Sequence, residues 1–192
     1  MRLAHDLFSA LQQGHETKIP MYDKSAHLGQ GDRIPIEQWE TRNGTDQRKI
    51  KVVIFEGWCV GFRSLPPGEI KVKQAAPSLT LHKHRLEDLL FVNEKLRAYD
   101  AMTDTFDAFI HIDAEETGFV YEWRLEQETA LWRDKGSGMT DEEVVKFVDG
   151  YYPAYELFTD GVRAGVLREK GDERQLRLVL GRDRRVKNVI ST

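Results

Sequence analysis

Apolar residues in this chain follow two periods. Between residues 51 and 56 an unbroken run, Val52, Val53, Ile54 and Phe55, ends on one acid, Glu56, followed by Gly57. A run with no polar alternation predicts a strand buried on both faces, as in parallel sheets under helices. Residues 106–112 (FDAFIHI) form a second short apolar strand that also ends on an acid, Asp113, with His111 inside it as a satisfied core histidine. Residues 176–180 (LRLVL) predict a last strand before a basic turn, GRDRR, and residues 19–22 a short strand entering a polar loop. Helical spacing separates these runs. Leu3, Leu7, Ala10 and Leu11 share one face, and Gly14 ends that helix. Leu86, Leu89, Leu90 and Leu96 repeat the spacing over residues 84–99. Residues 115–134 predict a long charged helix stopped by Gly136-Ser137-Gly138. Thr140 with Glu143 forms a capping signature for a helix to about residue 151, and Pro153 opens a further segment to Phe158. Leu65-Pro66-Pro67-Gly68 breaks the chain, and residues 69–78 read as an irregular, mildly basic loop. Strands separated by helices predict an α/β fold with a parallel sheet.

Composition narrows the function. The 192 residues, 40% hydrophobic and 31% charged, predict a single globular domain spanning the whole chain. A net charge of −4 argues against a general nucleic-acid binder. The single cysteine, Cys59, excludes an internal disulfide framework, reads as a buried inert thiol, and fits a reducing, cytoplasmic setting. No apolar run approaches the roughly 20 residues of a membrane span, and the opening MRLAHDLFSAL lacks the continuous apolar core of a signal peptide. The helix that opens the chain is preceded by no cap or turn, so an upstream piece is expected.

Three groups of side chains carry candidate chemistry. Glu56, at the carboxyl end of an apolar strand, stands where α/β folds bind ligands and can hold Mg²⁺ directly or through water; alternatively it is a solvated strand end. The loop Tyr22-Asp23-Lys24-Ser25, continued by Gly29-Gln30-Gly31-Asp32-Arg33, is dense in polar groups. Asp23 can accept a hydroxyl proton, and Lys24 and Arg33 can neutralise carboxylate or phosphate; the alternative is a salt-bridged surface loop. Arg124, Arg133 and Lys135, before a glycine hinge, can close on a nucleotide as a lid over about residues 124–140, or simply pair with Glu122, Glu126 and Glu128. His82 and His84 lack the companions a metal site needs. No nucleophile triad is discernible.

Taken together, the blocks PMYDKSAHLGQGDR (20–33), VVIFEGWCVGF (52–62), FVNEKLRAY (91–99), YEWRLEQE (121–128) and GMTDEEVVKFVDGYYPAYELF (138–158) resemble the P-loop kinases related to D-glycerate 3-kinase, within the uridine kinase and phosphoribulokinase-like superfamily. The resemblance implies a three-layer P-loop NTPase-type fold, with a parallel five-stranded sheet between helices. It implies ATP and Mg²⁺ as cofactors and a small hydroxylated acceptor such as glycerate, with no nucleic-acid or membrane partner. It casts Glu56 as the Walker B acid and Mg²⁺ holder, and Asp23 as its catalytic companion. Tyr22, Lys24, Ser25 and Arg33 fall to the acceptor pocket, and Arg124, Arg133 and Lys135 to the nucleotide lid. One departure is large: no G-x-x-x-x-G-K-[ST] cradle occurs in the sequence. In the family that cradle precedes the segment matched here. The expectation is therefore a kinase-like domain incomplete at its N-terminus, without its first, central strand and phosphate-binding loop, and weakly active or inactive. The alternative is a non-catalytic binding or assembly module derived from the kinase fold.

Overall fold

Helical spacing at the start of the chain is realised as α1 (Arg2–Gln12), whose exit is set by Gly14 in the left-handed region at φ +66°. The structure, a computed structural model, describes residues 2–167 and 174–191. It divides into two compact units, Met1–Val60 and Gly61–Thr192. In the first unit β1 (Thr17–Ile19) pairs antiparallel with β4 (Glu40–Arg42), and β2 (Tyr22–Asp23) with β3 (Asp32–Arg33). The short helix α2 (Ala26–Gly29) lies in the loop between β2 and β3. Trp39 is buried, its indole N–H donating to the Ile34 carbonyl at 2.6 Å. Asn43, also buried and at φ +59°, closes the next loop: its Oδ1 accepts the Ile50 N–H at 2.7 Å.

Residues 51–56 differ from expectation. They form no strand, and Val52, Val53 and Ile54 are exposed, Ile54 at 89%. Two-sided burial requires a strand along each edge and a layer over each face. Among the described residues no strand pairs with this run; Phe55 packs edge-to-face on Phe8 of α1, with ring centroids 5.2 Å apart.

The second unit is built on a three-stranded sheet of order β5-β6-β7, with β5 (Phe109–Ala114) parallel to β6 (Gln175–Leu180) and β6 antiparallel to β7 (Val186–Ser191). The class is mixed α/β, as expected, but this sheet has one parallel pair where five parallel strands were implied. The segment at 51–56 is not part of it. The basic turn closes a hairpin through the Arg184 N–H to the Gly181 carbonyl, at 2.9 Å, and returns the chain as β7. The second apolar run begins later than expected, so Asp113 lies inside β5 rather than beyond it.

Helices make up most of the rest of this unit. They are α3 (Pro67–Ala75), α4 (Leu86–Leu96), the single-turn α5 (Asp100–Thr103), α6 (Phe119–Lys135), α7 (Asp141–Asp149) and α8 (Tyr152–Ala164). The region 69–78, expected to be a loop, is mostly α3. The Pro66-Pro67 pair that reads as a break starts this helix, with Pro67 in the first turn where its missing N–H costs nothing, and Ile70 is fully buried. Gly61 is obligatory: it sits at φ +89°, and a Cβ there would meet the Phe109 ring at 2.5 Å. Val144, Val148 and Tyr152 form a core cluster with Val120, Tyr121 and Leu125 packed against it. Among the described residues no helix is long and apolar enough to cross a membrane.

Candidate functional site

Two-residue strands cannot hold a loop by themselves; side-chain bonds fix the 22–33 segment. Register places Tyr22 opposite Arg33 and Asp23 opposite Asp32, and the pairing continues through the Ile34 N–H to the Met21 carbonyl at 3.0 Å. Two like charges directly opposite destabilise a hairpin, and each carboxylate has local donors to offset this. Asp23 Oδ1 accepts both the Ser25 N–H at 2.8 Å and the Ser25 hydroxyl at 2.6 Å, an Asx-type turn. Asp32 accepts the Arg33 N–H at 2.6 Å and lies 3.2 Å from His27 Nε2. The Ser25 hydroxyl, followed by its N–H, holds the Asp23 carboxyl below the usual carboxylate range. Tyr22 lies so close over Gly31, at φ +78°, that a Cβ there would fall 2.4 Å from the phenol oxygen. Only glycine fits beneath that ring.

The hairpin thus gathers Tyr22, Asp23, Ser25 and Arg33 on one exposed structure, with Lys24 at its turn. An ionised Asp23 with a bound serine hydroxyl, facing the guanidinium-bearing strand, is a group able to accept a proton from a hydroxyl ligand. Arg33 is able to bind an anionic group. Glu56, also in the first unit, is exposed, lies outside any strand, and precedes the turn closed by the Val60 N–H to the Gly57 carbonyl at 3.3 Å. Among the described residues no three His, Cys, Asp or Glu side chains are grouped to hold a metal. Cys59, expected to be buried, is partly exposed.

The lid candidates belong to the second unit. Arg124 is held: its guanidinium lies 2.6 Å from Glu128 Oε2 one turn on and 5.4 Å from the centre of the Phe147 ring on α7. Buried Glu128 also accepts the Met139 N–H at 2.8 Å, and the Trp132 indole donates to the Met139 carbonyl at 2.9 Å. The segment after Gly136, at φ +68°, is therefore folded back on α6 rather than left as an open hinge. Glu122 and Glu126 are engaged by Arg182 and Arg184 of the β6–β7 turn. Arg133 and Lys135 lie in the last, exposed turn of α6, favourably placed at the negative end of the helix dipole.

Sequence reading did not single out a buried carboxylate that pairs with two arginines. Asp113, 5% exposed, takes two bonds from Arg163 of α8, Nε at 2.7 Å and Nη2 at 3.0 Å, and one from Arg177 Nε of β6 at 2.8 Å. Burial pushes its carboxyl up, but the Arg163 and Arg177 guanidiniums and His111 together outweigh burial and hold it below the usual carboxylate range. His111, on the same face of β5, lies 4.0 Å from Asp113, and burial lowers its imidazole below the ordinary histidine range. It is not the satisfied histidine expected, since Nδ1 is buried with no hydrogen-bond partner among the described residues. The available signal was an acid in an apolar strand. Its partners, Arg163 and Arg177, follow 50 and 64 residues later, beyond any local pattern.

No protein-family profile matches the chain. It is 39% identical over 143 residues to the uncharacterized kinase mug58 of Schizosaccharomyces pombe, covering 74% of this chain and 50% of that protein. It is 37% identical over 148 residues to the chloroplastic D-glycerate 3-kinase of Arabidopsis thaliana, covering 77% of this chain and 29% of that one. The chain therefore spans half or less of these relatives' length. In structure it matches D-glycerate 3-kinase from Cryptococcus neoformans with a TM-score of 0.83 and 29% identity, over 100% of this chain and 66% of that one. By likeness of sequence and of fold together, the chain belongs to the family of D-glycerate 3-kinase and its related ATP-dependent kinases.

Proposed function

We propose that this chain is an ATP-dependent small-molecule kinase-family protein whose 192 residues supply the acceptor side of phosphoryl transfer to a glycerate-like hydroxy acid. The observation that carries this reading is the 22–33 hairpin, in a chain 37% identical to a D-glycerate 3-kinase over the matched residues. In this reading Arg33 and Lys24 bind the acceptor carboxylate, Tyr22 and Ser25 shape the pocket, and Asp23 accepts the hydroxyl proton. Glu56 is the acid that would orient Mg²⁺, which in such sites is shared with substrate phosphates and water.

The residues present do not fit a triphosphate. The sequence holds no G-x-x-x-x-G-K-[ST], so backbone donors, an outer-phosphate lysine and a metal-binding hydroxyl are absent together. Of the three lid cations, Arg124 is already bound to Glu128 and stacked on Phe147. Removing such preorganised charge takes away most of the stabilisation that phosphoryl transfer depends on. Supplied with D-glycerate, ATP and Mg²⁺, the 192-residue chain is expected to form no phosphoglycerate above background in a coupled assay, whereas a form extended through a glycine-rich cradle turns over. Robust turnover by the 192 residues alone contradicts this.

A second reading, a non-catalytic assembly module, is favoured by one observation: the apolar side chains exposed at residues 52–54 and along β5.

A further inference from the structure

The Glu128 carboxylate divides its two oxygens between different parts of the second unit. Oε1 accepts the Met139 N–H at 2.8 Å, and Oε2 lies 2.6 Å from the Arg124 guanidinium, one turn earlier on α6. Oε2 is buried, and among the described residues no other donor serves it. The Glu128 side chain is 5% exposed and that of Arg124 24%, so water can do little to replace either partner. The neighbouring acids of α6 are taken: Glu122 and Glu126 are engaged by Arg182 and Arg184. Residues 136–140 form a strap between α6 and α7. Both bonds that tie this strap to α6 side chains fall on Met139, its N–H on Glu128 and its C=O on the Trp132 indole at 2.9 Å.

We infer that Glu128 is a latch: it couples the strap to the charge of Arg124 and holds residues 136–140 on α6 only while Arg124 stays on its carboxylate. The reason lies in the asymmetry of buried ion pairs. A buried carboxylate that loses its cation is strongly destabilised, and it regains water only by turning outward. Oε1 and Oε2 belong to one rigid group, so that turn gives up the Met139 N–H as well. A neutral carboxamide in the same place carries no such charge to relieve. Two contacts that merely coexist would instead leave the strap indifferent to Arg124. Within the kinase-family reading, Glu128 is thus a positioning residue: an Arg124 drawn to a phosphate group would release the strap, and the latched strap keeps Arg124 withdrawn. That consequence rests on the proposed function; the latch itself does not.

The test uses the 192-residue chain without ligand, so the latch and the hydroxy-acid reading can fail separately. Native-state hydrogen exchange is followed by NMR at the Met139 amide, with the Phe109 and Glu115 amides, bonded to the Arg174 and Leu180 carbonyls, as references for global opening. Arg124→Gln removes the cation and stands in for an Arg124 withdrawn from Glu128. It is expected to speed Met139 exchange by at least about tenfold relative to the references, a modest share of what an unpaired buried charge can drive. The double variant Arg124→Gln/Glu128→Gln is expected to return Met139 to the protection of the unsubstituted chain, because a carboxamide oxygen still accepts the N–H. Lost packing of Arg124 on Phe147 could not be rescued in that way. Unchanged Met139 exchange in Arg124→Gln, an equal rise at the reference amides, or a double variant as open as Arg124→Gln overturns the proposal.

Discussion

At the scale of single residues, two carboxylates behave differently because their partners differ. Asp23 is exposed and tuned chiefly by Ser25, so Ser25→Ala is expected to return its carboxyl toward the ordinary range, read as a higher midpoint in an NMR pH titration. An unchanged midpoint contradicts the assignment. Asp113 is buried between two arginines, and Asp113→Asn leaves both without a counter-charge. Because the arginines keep some solvent, a loss of about 3 kcal/mol in unfolding free energy is expected, the low end for breaking a buried pair. The pH dependence has a defined sign. A carboxyl held low in the folded state adds stability above its unfolded pKa, and this is lost as pH falls through the folded one. His111 acts in the same direction nearer neutrality: its depressed imidazole makes stability fall as pH drops below the unfolded value of about 6.5. In denaturant titrations between pH 7 and 5, His111→Gln is expected to flatten that slope.

At the scale of elements, what was legible in the sequence followed from local rules. The Thr140–Glu143 capping box is formed as read, with the Glu143 N–H donating to the Thr140 hydroxyl at 3.3 Å and Glu143 accepting the Thr140 N–H at 2.8 Å. Gly136 stops α6 because it alone adopts φ +68° there without strain. What was not legible depended on distant partners. The apolar run at 51–56 reads as a buried strand, yet local pattern cannot state whether neighbouring strands exist to bury it. Pro66-Pro67 reads as a break because proline both ends and starts helices; Ile70 buried behind it decides the case. The hairpin at 22–33 was legible as a polar loop but not as a paired structure, since its strands are two residues long. The loop after α6 was read as a hinge from its glycines, and buried Glu128 makes it a tethered turn. Gly138 touches that tether: a Cβ would fall 2.6 Å from Glu128 Oε1 and 3.0 Å from the Trp132 indole. Gly138→Ala is expected to cost about 1–2 kcal/mol in chemical denaturation and to shift Trp132 fluorescence, as crowding of a packed site does. A neutral substitution would mean the tether is absent in solution.

At the scale of the molecule, the chain divides its resources unevenly. The first unit carries the 22–33 hairpin and Glu56, the second a three-stranded sheet with β5 and β7 at its edges. Family membership was legible because the 20–33, 52–62 and 121–128 blocks appear in order. The acceptor was not, since loop chemistry rather than fold selects substrates. The proposed function stands on the claim that the 22–33 hairpin recognises a small hydroxy acid and that the 192 residues by themselves do not hold a triphosphate. A two-dimensional NMR titration of the isotope-labelled 192-residue chain with D-glycerate tests this most directly. The account expects saturable shifts centred on the amides of residues 22–33, abolished by Arg33→Ala, and no saturable shifts with ATP and Mg²⁺. Saturable binding of ATP, or D-glycerate shifts that ignore Arg33, would contradict it.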